Sequence, residues 1–214
     1  MKPILLDFPH EFTTERLRVR CPLPGDGAMV NEAIRESQDE LKVWEAYFVN
    51  LPSVEESEER ARRAHAKFLL REDLRLYMFR KSSGRFVGSA GLHRINWDVG
   101  RFEISYWIRT SESGQGLVTE AVHGIVHWAS DHLHARRIKI CCDARNLRML
   151  PEPLRGPDLP PQVPPNQYWV QQDGGLESRH FGLLHVSQIR GVVVGLLHGG
   201  PTFTIEHAPY AGPL

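Results

Sequence analysis

Hydrophobic residues along the first two thirds of the chain follow two different periods. Five segments have the alternating or continuous apolar pattern of strands, and each ends at a turn signal. The middle three are separated only by short turns, which predicts an antiparallel meander. The last is entered from a helix, so it can lie parallel to its neighbour. The predicted strands are 17–20, 74–79, 86–95, 101–108 and 137–142.

Four other segments have the 3.6-residue spacing of helices. Ser53 and Glu56 form a capping-box pattern that opens the third of them. The resulting order is β-α-α-α-β-β-β-α-β, an α+β arrangement. The predicted helices are 28–37, 39–48, a segment beginning at 54, and one carrying apolar residues from 118 to 133.

Charge, cysteine content and hydropathy limit the classes of protein to which this chain could belong. Twenty-six basic residues match twenty-six acidic ones, so net charge gives no argument for nucleic acid or an anionic membrane. Cys21, Cys141 and Cys142 are an odd set without framework spacing, which is typical of reduced thiols in a cytoplasmic protein. No stretch is apolar for long enough to span a membrane.

The composition changes after residue 148. Ten of the fifteen prolines lie beyond it and none of the lysines does. The stretch "LPEPLRGPDLPPQVPPNQ" has no period that a helix or strand could use, and its prolines remove backbone donors and bias their neighbours towards extended structure. The later stretch "IRGVVVGLLHGG" could be a strand or an irregular apolar segment. We therefore predict a domain over 1–148 and a Pro/Gly-rich, disordered or irregular tail over 149–214.

Gly114 and Gly116 stand between the third meander strand and a helix. Backbone N–H groups at such a helix start attract phosphate, and glycine lets the ligand approach the backbone. No Gly-Lys-Ser/Thr follows, which excludes a P-loop, and the preceding meander does not suit a dinucleotide fingerprint. Taken alone, the two glycines favour an ordinary helix-entry turn that holds no ligand.

In this element order the chain resembles the GNAT superfamily of acetyl-CoA-dependent N-acetyltransferases, in particular its ribosomal-protein N-terminal acetyltransferase branch. The resemblance covers about residues 13–148. It implies the GNAT fold, with a mixed, mainly antiparallel sheet and helices on both faces. The segments that carry it are "TERLRVR", "GDGAMVNEAIRES", "GRFVGSAGLHRI", "FEISYWI", "GQGLVTEAV" and "DARNLR".

The resemblance also implies a reaction. Acetyl-CoA would be the donor, and the acceptor would be an amine, foremost the N-terminal α-amine of a protein, which attacks directly. No metal is implied: His123 and His127 lie four residues apart without a third ligand. Two alternatives remain: a degenerate domain that binds CoA or a partner without turnover, and an enzyme acting on a small-molecule amine.

Site residues follow from the same resemblance. Glu103 matches the family's general base, although it could equally be a solvated carboxylate or pair with Arg94 or Arg101. Asn146 matches an asparagine that orients the cofactor arm. Trp44, Tyr47 and Phe48 match the acceptor-covering segment, although aromatics at helical spacing are more often core. The implied cofactor-binding residues are Trp107, Ile108, Arg109, Gly114, Gln115, Gly116, Leu117, Val118 and Thr119.

The resemblance ends near residue 148, where the family has a further helix and a hairpin that often supplies the acid tyrosine. The sequence predicts that both are missing, which leaves the acid unassigned and any oligomer undecided. A one-base shift in the reading frame would explain the break, since 179–187 is compatible with a typical ending of this branch when read one base on. The rival explanation is a genuine tail.

Overall fold

The computed structural model describes residues 2–44 and 48–140 together with four short strands further on, and the side chains up to residue 138. The chain divides into two compact units, Met1–Arg136 and Arg137–Leu214. Among the described residues, no helix is long and apolar enough to cross a lipid bilayer.

Strands and helices follow one another in nearly the predicted order. The strands are β1 (Glu11–Thr13), β2 (Leu17–Arg20), β3 (Leu74–Arg80), β4 (Phe86–Asn96), β5 (Arg101–Ile108) and β6 (Arg137–Ile140). The helices are α1 (Gly27–Leu41), α2 (Val54–Leu69) and α3 (Leu117–Leu133), with short 3-10 turns at Pro3–Leu5 and Thr110–Glu112.

Within the first unit, the strands of the sheet lie in the order β1-β2-β3-β4-β5. Strands β1 to β5 pair antiparallel with their neighbours, which confirms the predicted meander of β3, β4 and β5. The β4–β5 register shifts between His93 and Asn96, so a bulge interrupts this pair near its far end.

The capping-box pattern in the sequence correctly predicted where α2 begins. The Ser53 side chain accepts the Glu56 N–H at 3.0 Å, and the Glu56 carboxylate accepts the Ser53 N–H at 2.7 Å. This is the predicted capping box. The separate helix predicted over 39–48 is wrong for the residues described, because 39–41 are the last turn of α1 and 42–44 form a turn.

Helices cover both faces of the sheet, as predicted. Phe12, Val19 and Met78 are cross-strand partners and share one face, where Phe12 stacks on Trp128 of α3 at 6.0 Å between ring centroids. Tyr77 alternates with Met78 and lies on the other face. There it forms a core with residues of α1, including Val30, Ala33 and Ile34.

Beyond β6 the structure describes two antiparallel strand pairs, Gln167–Gln172 with Arg179–His185 and Leu196–Leu197 with Pro201–Thr202. The predicted domain boundary at 148 and most of the predicted tail lie outside the described residues. Both therefore stay predictions.

Candidate active site

The two glycines between β5 and α3 have left-handed backbones, with φ of 75° at Gly114 and 74° at Gly116. A Cβ built on Gly114 would meet nothing within 4 Å, and one on Gly116 would meet only Arg16 Nη2 at 3.6 Å. Packing within the protein therefore does not require glycine here. The backbone conformation requires it, and the bare backbone faces open space.

The backbone N–H groups of this turn have no hydrogen-bond acceptor within the described part of the protein. Gly116 is the N-cap of α3 and has no side-chain cap, and the first bond of the helix runs from the Glu120 N–H to the Gly116 carbonyl at 3.1 Å. Within the described part of the chain, the N–H groups of 114–119 donate to no acceptor. Six such donors at a helix N-terminus favour an anion.

Arg16, in the turn between β1 and β2, fastens this loop. Its Nε donates to Glu120 at 2.5 Å, its backbone N–H donates to the same carboxylate at 2.7 Å, and its Nη1 donates to the Gln115 carbonyl at 2.9 Å. The Thr14 hydroxyl adds a bond of 2.5 Å to Glu120. Burial would raise the pKa of Glu120, but the bonds from Thr14 and Arg16 outweigh it and lower that pKa.

A second ion pair supports the loop from the other side. Glu112, which is buried, accepts from Arg80 Nη2 at 2.6 Å and lies 3.4 Å from Arg85 Nη1. Arg80 also donates to the Gln115 side chain. Sequence reasoning missed these arginines, because no local pattern links residues separated by 27 to 104 positions.

We expect Glu120→Gln to loosen the loop without unfolding the domain. Glutamine keeps the size of the side chain but loses the charge that holds three donors, so local opening should become easier. Amide exchange in the first hydrogen-bonded turn of α3, which begins with the N–H of residue 120, should accelerate about tenfold, corresponding to about 1.4 kcal/mol. The matched control is Glu11→Gln, which breaks an exposed pair with Arg18; equal exchange in both variants would contradict the role of Glu120.

Arg109, which directly follows β5, is fully engaged within the protein. The Arg109 N–H donates to the Val87 carbonyl at 2.8 Å, and its buried side chain turns to Glu32 and Glu36 of α1. Burial would lower the pKa of Arg109, but these carboxylates outweigh it and raise the pKa. The Arg109 guanidinium is therefore not available to a ligand.

Trp107 is held in place by aromatic neighbours. It packs edge-on against Phe86 at 5.8 Å and Phe48 at 6.0 Å between ring centroids. Across the strands, a Cβ on Gly88 would lie 2.3 Å from the Trp107 carbonyl oxygen. Glycine at 88 thus allows β4 to lie close against the end of β5.

Glu103 lies mid-strand in β5, with its side chain 17% exposed. Both of its carboxylate oxygens accept from Arg94 Nη1, at 2.9 and 3.2 Å. The pairing with Arg94 that the sequence left open is therefore present. Arg94 itself is 78% exposed, so releasing it from Glu103 costs little.

The sequence profile of the "Acetyltransferase (GNAT) domain" matches residues 16–150, well over half of the 214 residues. The chain belongs to the GNAT acetyltransferase family. It is therefore an acyltransferase by family, and the glycine turn and the end of β5 lie within the matched region.

Two curated relatives of this acetyltransferase are bacterial. YdaF of Bacillus subtilis, named as a candidate ribosomal N-acetyltransferase, is 28% identical over 144 residues, which are 64% of this chain and 76% of that protein. The ribosomal-protein-serine acetyltransferase of Escherichia coli is 27% identical over 108 residues, which are 49% of this chain and 60% of that protein.

Among solved structures, a ribosomal L7/L12 alpha-N-protein acetyltransferase in complex with coenzyme A superimposes with a TM-score of 0.57. The alignment covers 65% of this chain and 76% of that one at 17% identity. It supports the GNAT fold that the sequence predicted.

The remaining predicted site residues of this acetyltransferase are not brought together. Trp44 is 40% exposed in the turn after α1, whereas Phe48 is 5% exposed and belongs to the core beside Trp107. Tyr47 and Asn146 lie outside the described residues. Of the acceptor-covering side chains, only Trp44 is described as accessible to a ligand.

Proposed function

We propose that the protein transfers an acetyl group from acetyl-CoA to an amine, foremost the N-terminal α-amine of a protein. The open glycine turn carries this proposal. Six unused N–H groups at the start of α3 suit a pyrophosphate, and the left-handed glycines leave the approach clear of side chains. The cofactor would thus be held at 114–119.

The end of β5 would take the pantetheine arm. Trp107 and Ile108 are spaced along the same strand as Glu103, four and five residues after it. An arm lying along this strand would carry its thioester from the glycine turn towards Glu103. Because the Arg109 N–H is already used, Arg109 could contribute only its carbonyl group.

Glu103 is the proposed general base. An amine attacks a thioester only when neutral, so the site needs a group that removes the ammonium proton, directly or through water. An ammonium group arriving at Glu103 would displace the exposed Arg94, replacing one cation with another. The rest of the acceleration would come from holding the amine against the thioester.

The relatives support a protein acceptor. Both curated relatives carry ribosomal acetyltransferase names, and the superimposed structure is named for the α-amine of ribosomal protein L7/L12. A small-molecule amine and a domain that binds CoA without turnover are the alternative outcomes of the assay below.

We expect Glu103→Gln to lower kcat by about 100-fold and to leave acetyl-CoA affinity unchanged, because the amide keeps the side chain's size but cannot accept a proton. Stopped assays with saturating acetyl-CoA, together with calorimetric binding, would measure both quantities. Unchanged turnover would remove Glu103 from the mechanism.

Mass spectrometry tests the proposed function as a whole. The full chain would be incubated with acetyl-CoA and synthetic lysine-containing hexapeptides beginning with Ser, Ala or Met, each paired with an N-blocked copy, and separately with small-molecule amines. Acetylation of a free N-terminus but not of the blocked copy supports the proposal. Acetylation of lysine side chains or small amines alone would contradict the α-amine acceptor, and no product despite binding would indicate the degenerate alternative.

A further inference from the structure

A histidine–aspartate pair lies one strand away from Glu103. His93, near the end of β4, places Nδ1 2.6 Å from Asp73 Oδ2, in the turn before β3. Their side chains are 18% and 26% exposed, so the pair is sheltered but reachable from solvent. With Asp73 accepting from Nδ1–H, the imidazole is fixed in the tautomer that leaves Nε2 free to accept a proton.

The free nitrogen is aimed along β4. A Cβ built on Gly91 would lie 3.2 Å from His93 Nε2, so the imidazole leans over the bare backbone of Gly91. Gly91 pairs with Ser105, and the next pair on that face joins Ser89 to Trp107. The nitrogen thus leans in the direction of Trp107, and among the described residues nothing hydrogen-bonds to it.

His93 and Glu103 are direct cross-strand partners and share one face of the sheet. The bulge that ends this register begins at His93, and the next residue, Arg94, has a left-handed φ of 46°. Bulges and left-handed non-glycine residues commonly re-aim side chains at functional sites. Here Arg94 turns back to pair with Glu103, and His93 keeps its place directly opposite Glu103.

We infer that His93, oriented by Asp73, is a second acid–base group of the site, which receives from Glu103 the proton that Glu103 removes from the acceptor ammonium. This inference rests on the proposed function. Glu103 attracts the ammonium and removes its proton, and the imidazole, a side chain suited to proton transfer near neutral pH, passes that proton on to solvent.

The proton and electron balance is simple. Glu103 takes one proton from the ammonium and passes it to His93 Nε2, and the freed lone pair of the amine forms the new C–N bond to the thioester carbonyl. The C–S bond breaks, and the departing thiolate takes the second proton of the attacking nitrogen. The products are the acetylated amine, the free thiol of CoA, and an imidazolium that returns its proton to water.

Several charges face this imidazole and set the pH at which it acts. Asp73, Glu103 and Arg94 are the nearest of these charged groups. Arg75 of β3 and Lys67 of α2 act on Asp73: burial raises the pKa of Asp73, but His93, Arg75 and Lys67 outweigh burial and lower it. Asp73 therefore stays ionised and keeps holding Nδ1–H.

The test compares His93→Asn with the wild-type chain, using acetyl-CoA and the three free hexapeptides as probes. Asparagine can still donate to Asp73 but has no atom at Nε2. We expect kcat to fall about 100-fold with KM for acetyl-CoA unchanged. The acid limb of the pH–rate profile should differ between the wild-type chain and the variant, because only the wild type has an imidazole at this position.

A full-rate His93→Asn variant with an unaltered profile would overturn the inference and leave the proposed function standing. If the variant does not fold, the wild-type chain provides the test. The midpoint of the His93 ring titration, measured by NMR, must match the midpoint of the acid limb of the pH–rate profile. A mismatch overturns the inference. A wild-type chain that binds no acetyl-CoA and acetylates no peptide would overturn both proposals.

Discussion

Gly114→Val should reduce the affinity for acetyl-CoA by at least about 100-fold. The residue has a φ of 75° and nothing within 4 Å of a built Cβ, so valine places its branched side chain in the space proposed for the pyrophosphate. A β-branched residue also resists the left-handed conformation, which would turn the amide groups away from the ligand. Titration calorimetry measures the loss directly.

Gly84→Val is the matched control for that variant. Gly84 has a φ of 70° and is equally open, but it lies in the β3–β4 turn. Both variants should lose about 1–2 kcal/mol of stability to the strained backbone. Only Gly114→Val should lose binding; an equal loss in both would show that strain, and not the ligand site, explains the effect.

The double variant Glu32→Gln/Glu36→Gln should have the second large effect, on stability. The Arg109 side chain is only 3% exposed, and these two carboxylates neutralise it. Leaving a buried guanidinium without its counter-charges is costly, about 3–5 kcal/mol for a fully buried pair. Because Glu36 is 29% exposed and Glu32 69%, we expect about 1–3 kcal/mol by urea unfolding.

The lowered pKa of Glu36 makes the folded protein less stable as the pH falls. Burial raises the pKa of Glu36, but hydrogen bonds from Ser111 and Arg109 outweigh it and lower the pKa from 4.5 to about 2. A lowered carboxyl pKa contributes stability above pH 4.5 that is lost as the pH falls towards 2. The double variant should therefore lose less stability than the wild type between these values.

Glu59→Gln is the control for the double variant, since it removes a charge from an exposed pair with Arg63 on α2. At every pH, the urea midpoint of unfolding of Glu59→Gln should be nearly the same as that of the wild type. If Glu59→Gln and the double variant shifted the midpoint equally, the buried position of Arg109 would not be the cause.

Local and periodic features of this fold were readable in the sequence. The meander follows from short apolar segments between tight turns, and the capping box from Ser53 and Glu56, three residues apart. The helix predicted over 39–48 failed because α1 ends at Leu41 and the chain then turns. Strand β1 was missed because three residues with one apolar side chain carry no usable period.

The candidate site likewise has one part that a short segment of sequence predicts and another that depends on residues far apart in the chain. The glycine turn lies within one short segment and was found from it. The fastening of that turn by Arg16 and Glu120, and the pairing of His93 with Asp73, join residues 104 and 20 positions apart through the sheet. The packing of α3 beside the β1–β2 turn brings the first pair together, and the pairing of β3 with β4 brings the second together. Neither arrangement is specified by a local pattern in a single sequence.

Titration calorimetry of the full chain with acetyl-CoA, alongside Gly114→Val and Gly84→Val, tests the central claim most directly. The account predicts saturable binding of one acetyl-CoA per chain, lost in Gly114→Val and kept in Gly84→Val. Absence of binding by a folded wild-type chain, or unchanged affinity in Gly114→Val, would contradict the claim that the glycine turn holds the acetyl donor.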